Sequence, residues 1–150
     1  MARAKAAAVR GVRGYVLVED AGLFIRSLAG FPGVYSAHFL KAWGFGPILE
    51  LLRRRERYAE FRSVAALRRG TSIRTFGGAV RGSIARAPAG TLGFGYDPIF
   101  VPRGWVQTFA QLPPETKNAL SHRGRSMRAV GRYLSRGPGR GRPRRAPSRP

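Results

Sequence analysis

The chain of 150 residues contains no cysteine, and acidic residues are scarce. Without cysteine, disulfide bonds, thiolate zinc sites and cysteine nucleophiles are excluded from its chemistry. The 7 Asp and Glu residues face 28 Lys and Arg residues, which gives a formal net charge of +21 at pH 7. A field of this sign attracts nucleotides, nucleic acids and anionic membranes at low salt. The composition therefore indicates an anionic partner without specifying which one.

Long apolar runs are also missing. No stretch approaches the roughly 18 to 20 apolar residues that span a bilayer. The Ala-rich start is interrupted by Arg10 and Arg13, so it predicts a helix over residues 2–10 and not a signal peptide. A hydrophobic content of 43% suffices for one core but not comfortably for two. We therefore predict one cytoplasmic domain over residues 1–135, with no membrane contact.

The last fifteen residues have a composition of their own. Residues 136–150 contain only Arg, Gly, Pro, Ala and Ser, with six arginines and no acid. Such a segment cannot bury apolar area, so we predict a disordered tail. Six charges are a minority of the +21, which means that the body of the protein is basic as well.

Two of the seven acids are neighbours. The stretch GYVLVED, residues 14–20, runs through four consecutive apolar residues, which predicts a strand buried on both faces. Glu19 and Asp20 then stand at its C-terminal end, where ligands gather in open α/β sheets. Such a pair can hold Mg²⁺ and orient a water. A solvated strand end or a helix N-cap is the usual alternative for an isolated acidic pair.

The middle of the chain predicts a broken helix followed by two strands. Residues 38–58 are typical of a helix interrupted near Gly44 and Pro47, with the arginine run 52–57 on its solvated face. Residues 58–67 and 71–88 predict neighbouring strands. Within the second strand, the pair Gly77 and Gly78 predicts a bulge or a further turn.

The segment 113–134 predicts helix, with an apolar stripe formed by Leu120, Met127, Val130 and Leu134. On one continuous helix, Lys117 and His122 would lie about 140° apart. Alternatively, Ser121 caps a second helix and brings His122 and Arg123 to its N-terminus. A lone helical histidine is more often structural, yet this cluster offers many hydrogen-bond donors and few acceptors. It would suit an anion or a carbonyl-rich base.

The stretch GTLGFGYDPIFVP, residues 90–102, contains a Gly-x-Gly that a dinucleotide-binding loop would also have. Pro98 argues against the helix that such a fingerprint requires. Asp97 ahead of a proline is a common turn starter. On its own, the motif indicates a turn.

Four blocks taken together are more specific than any of them alone. GFGYDPIF (93–100), TFAQL (108–112) and KNALSHR (117–123) resemble the signature run of the inosine triphosphate pyrophosphatase family. Upstream, VEDAGLFIRSLAGFPGVYSA (18–37) is similar to that family's second signature. The order and spacing of the blocks agree across most of residues 2–134.

The resemblance implies an α/β fold with an elongated, twisted, mixed sheet flanked by helices, and two lobes around a central cleft. It implies a homodimeric, Mg²⁺-dependent enzyme that hydrolyses ITP, dITP and XTP to the monophosphate and pyrophosphate. Carried over residue by residue, Asp20 is the general base and holds the metal together with Glu19. Ala21 stands where the family has a substrate-contacting serine.

The same resemblance implies the purine site. Phe94, Gly95, Tyr96 and Asp97 match the segment that forms the base pocket, with Phe94 stacking on the purine. Lys117, His122 and Arg123 match the residues that recognise its six-oxo edge.

One element of the family has no counterpart in these residues. The family begins with a strand that leads into a Thr/Ser-Gly-Asn-x-x-Lys loop, which grips the triphosphate. The printed residues contain one asparagine, Asn118, which belongs to the KNALSHR block. We therefore expect a chain truncated at its N-terminus, without the first strand and helix, and with little or no pyrophosphatase activity by itself.

Two other functions compete with this one. The charge, the arginine-rich tail and three aromatic residues available for stacking on bases (Trp43, Tyr96 and Trp105) are also typical of a nucleic-acid-binding protein. An inactive gene remnant is the other alternative.

Overall fold

The computed structural model describes residues 1–136, so all but the first residue of the predicted tail lies outside the described residues. The strands are β1 Tyr15–Ile25, β2 Pro32–Gly33, β3 Tyr58–Arg69, β4 Ser72–Ile84 and β5 Phe100–Pro102. The helices are α1 Ala2–Ala8, α2 Ser36–Trp43, α3 Gly46–Leu51, α4 Pro114–Leu120 and α5 His122–Ser135. Single 3₁₀ turns span Arg26–Leu28, Asp97–Ile99 and Phe109–Gln111. Every helix within residues 1–136 is too short or too polar to cross a lipid bilayer.

The strands form one sheet in the order β2-β1-β3-β4-β5. Helices flank this sheet, which confirms the α/β class. Each neighbouring pair that the structure describes is antiparallel, where a mixed sheet was expected. Strands β3 and β4 are joined by a two-residue turn, Gly70 and Thr71, in which Gly70 has a φ of +58°. A turn this short allows only antiparallel pairing.

Strand β1 is longer than the sequence predicts. It pairs with β3 over eleven residues, from Tyr15 opposite Arg69 to Ile25 opposite Ala59. Glu19 and Asp20 therefore lie in the middle of a strand, and the prediction that they end it is wrong. Tyr15 and Leu17 are 41% and 46% exposed, so the start of β1 is not buried on both faces either.

The two faces of the sheet carry different helices. Ala2 and Ala6 of α1 pack against Ala66 on one face. Val130 of α5 packs against Ala65 and Leu67 on the other. Because successive strand residues point to opposite faces, the β1 residues paired with Ala65 and Ala66 also point to opposite helices. This alternation decides where the two neighbouring acids project.

Strand β4 runs straight through its two central glycines. Gly77 pairs with Val64 and Gly78 pairs with Ser63 in an unbroken register, so the predicted bulge or turn is wrong. A Cβ atom on Gly78 would lie 2.1 Å from the His122 carbonyl oxygen and 2.7 Å from the Ser126 amide nitrogen. The missing side chain therefore lets α5 approach the sheet at the position where α5 begins.

The helical region before β3 breaks where expected, since α2 ends at Trp43 and Gly44 has a φ of +65°. The arginine run does not form a solvated helix face, because α3 ends at Leu51. Arg57 is partly buried and donates hydrogen bonds to three carbonyl oxygens, those of Leu52, Ile84 and Ala85. Burial, with a smaller contribution from Arg86, lowers the pKa of Arg57.

The C-terminal helical segment divides at Ser121, as the second of the two alternatives predicted. Val130 is buried and Met127 is partly buried, in agreement with the predicted stripe. Leu134 is 40% exposed, and Tyr133 packs against the sheet instead. The stripe prediction is therefore wrong at its last position, where Tyr133 and not Leu134 packs against the sheet.

Candidate active site

A cavity of about 420 Å³ lies beside the junction of α4 and α5. Its lining includes all eight residues predicted to bind substrate: Ala21, Phe94, Gly95, Tyr96, Asp97, Lys117, His122 and Arg123. Ser36, Leu40, Lys41 and Phe61 line it as well. The fold thus brings residues from β1, the glycine turn and the C-terminal helices to one concave surface.

The glycine turn is built around a buried carboxylate. Asp97 is 3% exposed, accepts a hydrogen bond from the Phe94 amide at 2.6 Å, and forms an ion pair with the Lys117 ammonium. Gly93 has a φ of +79°, and a Cβ atom there would lie 2.3 Å from the Asp97 carboxylate. Glycine is therefore required at position 93, and Asp97 serves as an anchor that fixes the backbone of the turn.

Phe94 is presented to solvent by this turn. It is 61% exposed although it is a large aromatic residue. The Lys117 ammonium nitrogen lies 4.4 Å from the ring centroid, and the Arg123 guanidinium carbon lies 4.9 Å from it. Both distances are typical of cation–π contacts. An exposed ring with two cations nearby is a suitable surface for stacking a nucleobase, and the cations would attract the phosphates of a nucleotide.

Ser121 places the two residues that follow it. Its hydroxyl oxygen accepts a hydrogen bond from the Gly124 amide at 3.0 Å, which caps α5. The chain direction changes at this cap, so Lys117 in the last turn of α4 and His122 at the start of α5 both reach the cavity. Lys117 and His122 therefore do not have the separation of about 140° that one continuous helix would give them.

His122 is buried and stacks on Phe61, with ring centroids 4.6 Å apart and an interplanar angle of 10°. Burial, then Arg123 and Lys117, lowers the pKa of His122 to about 4. The imidazole is therefore neutral at pH 7, with one ring nitrogen donating and the other accepting. Within residues 1–136, its Nδ1 atom has no hydrogen-bond partner. One nitrogen of this buried ring thus has unmet hydrogen-bonding capacity.

The lowered pKa of His122 predicts acid sensitivity of the fold. The unfolded chain takes up this proton near pH 6.5 and the folded protein only near pH 4. Between these values the unfolded state binds more protons, so the free energy of unfolding falls as the pH falls, by up to about 3 kcal/mol from this group. His122→Gln should flatten the profile between pH 7 and 4.5, measured by urea denaturation. His38→Gln, at an exposed histidine on α2, serves as the control, and an equally steep profile in His122→Gln would contradict the prediction.

Tyr96 contributes to the cavity wall from a buried position. It is 4% exposed, and its hydroxyl donates a hydrogen bond to the Ser36 carbonyl oxygen at 2.9 Å. Burial raises the pKa of Tyr96 to about 12. Tyr96 is therefore not available for stacking on nucleic-acid bases, as the alternative function supposed. Ser36, which is not among the predicted site residues, joins this wall to β1 by accepting a hydrogen bond from the Leu23 amide at 2.8 Å.

The structure separates the two acids that were predicted to share a metal. Asp20 pairs with Lys5 of α1 at 2.9 Å, whereas Glu19 pairs with Arg123 of α5 at 2.9 Å. They point to opposite faces because they are consecutive residues of one strand. Among the described residues, no group of three or more His, Cys, Asp or Glu side chains is placed to hold a metal ion. Glu19 and Asp20 therefore do not face one common site in this structure.

Asp20 lines a second, smaller cavity of about 260 Å³. Arg3 and Arg62 also line this cavity. Ala21 and Gly22 line both cavities, so the two are adjacent across β1. Asp20 thus lies next to the larger cavity without lining it.

The fold and the two cavities define an α/β protein with a concave candidate site, and the comparisons give its family. The sequence profile of the Ham1 family matches residues 1–133. The chain therefore belongs to the Ham1 family. This result agrees with the resemblance on which the sequence prediction was based.

Individual relatives agree with the family assignment. A dITP/XTP pyrophosphatase of Hyperthermus butylicus is 48% identical over 120 residues, which cover 79% of this chain and 63% of the relative. A dITP/XTP pyrophosphatase of Thermococcus kodakarensis is 47% identical, with 82% and 67% covered. The structure of the Staphylococcus aureus Ham1 protein matches with a TM-score of 0.79 at 32% identity, covering 88% of this chain and 72% of the other. The chain thus spans about two thirds of the length of these curated relatives.

Proposed function

We propose that this protein is a nucleoside triphosphate pyrophosphatase that hydrolyses ITP, dITP and XTP to the monophosphate and pyrophosphate. The observation that carries the proposal is the convergence of Phe94, Lys117, His122 and Arg123 on one cavity. The curated relatives named dITP/XTP pyrophosphatase support the same substrate class.

The base would be read by stacking and by hydrogen-bond donors. A purine on the exposed face of Phe94 brings its six-oxo oxygen towards the donors of His122 and Arg123. An adenine presents an amino group at that position and leaves these donors unpaired. One unmet buried donor costs about 1 to 3 kcal/mol, which corresponds to roughly ten- to a hundredfold discrimination. The cavity therefore favours oxo purines over adenine.

Asp20 is the residue that we propose as general base. Its carboxylate is an acceptor, 24% exposed, and held by the Lys5 ammonium at 2.9 Å. It lies in the cavity that adjoins the purine site at Ala21 and Gly22. In this role, Asp20 takes a proton from the water that attacks the phosphate chain. Ala21 offers no hydroxyl to the substrate at the boundary between the two cavities.

The family resemblance implies magnesium dependence. The two expected ligands, Glu19 and Asp20, do not face one common site. Glu19 and Asp20 are each engaged by a cation, on opposite faces of β1. Magnesium prefers several oxygen ligands in near-octahedral geometry, and these two carboxylates do not provide them together. The described residues therefore do not fit a magnesium ion shared by Glu19 and Asp20.

Nucleotide binding by the whole chain tests the proposed function. We expect calorimetry to show at least tenfold tighter binding of ITP than of ATP. Phe94→Ala should weaken ITP binding by about 1 to 3 kcal/mol, since stacking on an aromatic ring has this magnitude. Its melting temperature should change little because the ring is exposed.

Trp105→Ala is the control for this test, because Trp105 is 38% exposed and lies outside the purine cavity. A pyrophosphate-release assay with ITP identifies the reaction, and we expect a low rate from these residues by themselves. Equal affinity for ITP and ATP, or unchanged binding in Phe94→Ala, would refute the assignment.

Three further properties belong to the proposal: a cytoplasmic location, a homodimer and non-specific nucleic-acid binding through the basic surface. Family resemblance supports the homodimer, and the net charge of +21 supports the contact with nucleic acid. Light scattering tests the dimer. For nucleic acid, we expect binding that collapses by 200 mM salt, as charge attraction alone would. Tight binding above that concentration would instead favour the nucleic-acid-binding alternative.

A further inference from the structure

Glu19 projects towards the purine cavity and away from Asp20. It pairs with Ala65 in the β1–β3 ladder, and Ala65 packs against Val130 of α5. Asp20 pairs with Val64 and reaches Lys5 on α1. The alternation of the strand therefore assigns Glu19 to the face that carries α5 and the cavity.

The contact between Glu19 and Arg123 joins positions 104 residues apart in the chain. Arg123 Nε and Arg123 Nη2 each lie 2.9 Å from Glu19 Oε2. The Glu19 side chain is 14% exposed and that of Arg123 is 44% exposed. A carboxylate that contacts two nitrogens of one guanidinium fixes the plane of that group. It also leaves Nη1 outside the ion pair.

Arg123 is at the same time part of the base-stacking surface. Its guanidinium carbon lies 4.9 Å from the centroid of the Phe94 ring. Glu19 therefore holds a guanidinium that also contacts the ring on which the purine is proposed to stack. Glu19 itself does not line the cavity.

The ion pair is poorly suited to stabilising the fold. Glu19 Oε1 is buried and, in the described part of the chain, has no hydrogen-bond partner. A buried acceptor without a partner opposes folding, and an ion pair in which one partner is half-exposed contributes little to stability. The contact with Glu19 therefore determines the position of the Arg123 guanidinium more than the stability of the fold.

We propose that Glu19 is a positioning residue for purine recognition, which orients Arg123 against Phe94 and does not ligate a metal. This inference rests on the proposed function, because it assigns Arg123 to the purine. Glu19 acts through Arg123 and touches no reacting atom. Its loss should therefore change the choice between purines more than the stability of the fold.

Glu60 provides a matched control for Glu19. It also lies on a strand, its side chain is 16% exposed, and it pairs with Arg62 at 2.9 Å. Glu60 does not line the purine cavity. Comparing Glu19→Gln with Glu60→Gln therefore separates the position of the carboxylate from the general effect of removing one charge.

The test measures binding of inosine monophosphate and adenosine monophosphate to the full chain by calorimetry. For Glu19→Gln, we expect about five- to tenfold weaker inosine monophosphate binding, with adenosine monophosphate binding and the melting temperature as in Glu60→Gln. Glu19→Asp keeps the charge with a shorter reach and should restore part of the discrimination. NMR gives an independent reading: the Arg123 Nε–H resonance, assigned by its disappearance in Arg123→Lys, should exchange with solvent faster in Glu19→Gln.

Each other outcome would overturn the inference in a recognisable way. If the wild-type chain does not distinguish the two monophosphates, the proposed function fails and the inference fails with it. If the wild type distinguishes them and Glu19→Gln does so equally well, only the inference fails. If Glu19→Gln binds both monophosphates equally less tightly and has a lower melting temperature, Glu19 has a structural role. If Glu19→Gln binds Mg²⁺ more weakly but still distinguishes the two monophosphates as the wild type does, Glu19 is a metal ligand.

Discussion

Replacing Gly78 by alanine is expected to destabilise the protein by about 3 kcal/mol or more, because a Cβ atom has no space there. The nearest atoms belong to the backbone of α5, at 2.1 Å from the His122 carbonyl oxygen and 2.7 Å from the Ser126 amide nitrogen. Backbone cannot move aside as the end of a flexible side chain can. The whole helix must shift, and the Ser63–Ser126 hydroxyl contact at 2.6 Å must lengthen. Urea denaturation measures the loss.

The neighbouring glycine is the control for this prediction. A Cβ atom on Gly77 meets nothing within 4 Å, so Gly77→Ala should leave the free energy of unfolding within about 1 kcal/mol of the wild type. The shift of α5 in Gly78→Ala should also weaken ITP binding, since His122 and Arg123 begin this helix. Equal stability of the two alanine variants would show that β4 and α5 are not packed as described.

Asp97→Ala is expected to cost about 3 to 5 kcal/mol of folding free energy, because it leaves the Lys117 ammonium buried without its partner. The two side chains are 5% and 13% exposed. The substitution also removes the acceptor for the Phe94 amide. The glycine turn should therefore loosen, and ITP binding should fall together with stability. Urea denaturation and calorimetry report the two losses separately.

An exposed ion pair gives the comparison for Asp97. Glu56 pairs with Arg26 at 3.4 Å, with side chains that are 50% and 64% exposed. Glu56→Ala should cost less than about 1 kcal/mol. In the double variant Asp97→Asn with Lys117→Met, removing both charges should recover part of the stability that Asp97→Ala loses. If Asp97→Ala is as stable as Glu56→Ala, the pair does not anchor the turn.

Local patterns in the sequence predicted much of the candidate site. KNALSHR places Lys117, His122 and Arg123 within seven residues, so they share a neighbourhood in almost any helical arrangement. Ser121 could be recognised as a possible cap because a hydroxyl at a helix start accepts backbone amides. The glycine turn was recognisable from Gly93, Gly95 and Pro98. These features depend on short-range geometry, which the order of residues determines directly.

Predictions about the sheet failed where pairing overrode local propensity. Ala21 and Gly22 were expected to follow the end of a strand, yet β1 continues through them. A Cβ atom on Gly22 would lie 2.3 Å from the Gly33 carbonyl oxygen, so this glycine permits close approach of β2 and does not interrupt β1. The prediction for Gly77 and Gly78 failed for a similar reason. Gly78 leaves room for α5, and neither glycine forms a bulge in β4.

By itself, the sequence determined the α/β class, the family and eight of the residues that line the larger cavity, because these follow from motifs and their order. Only the tertiary structure decided the partners of Glu19 and Asp20. Because β1 extends through both acids, their side chains point to opposite faces of the sheet. Helix α1 packs on one face and supplies Lys5 to Asp20, and α5 packs on the other and supplies Arg123 to Glu19. Contacts between distant segments depend on register and helix packing, which no single segment of the chain encodes.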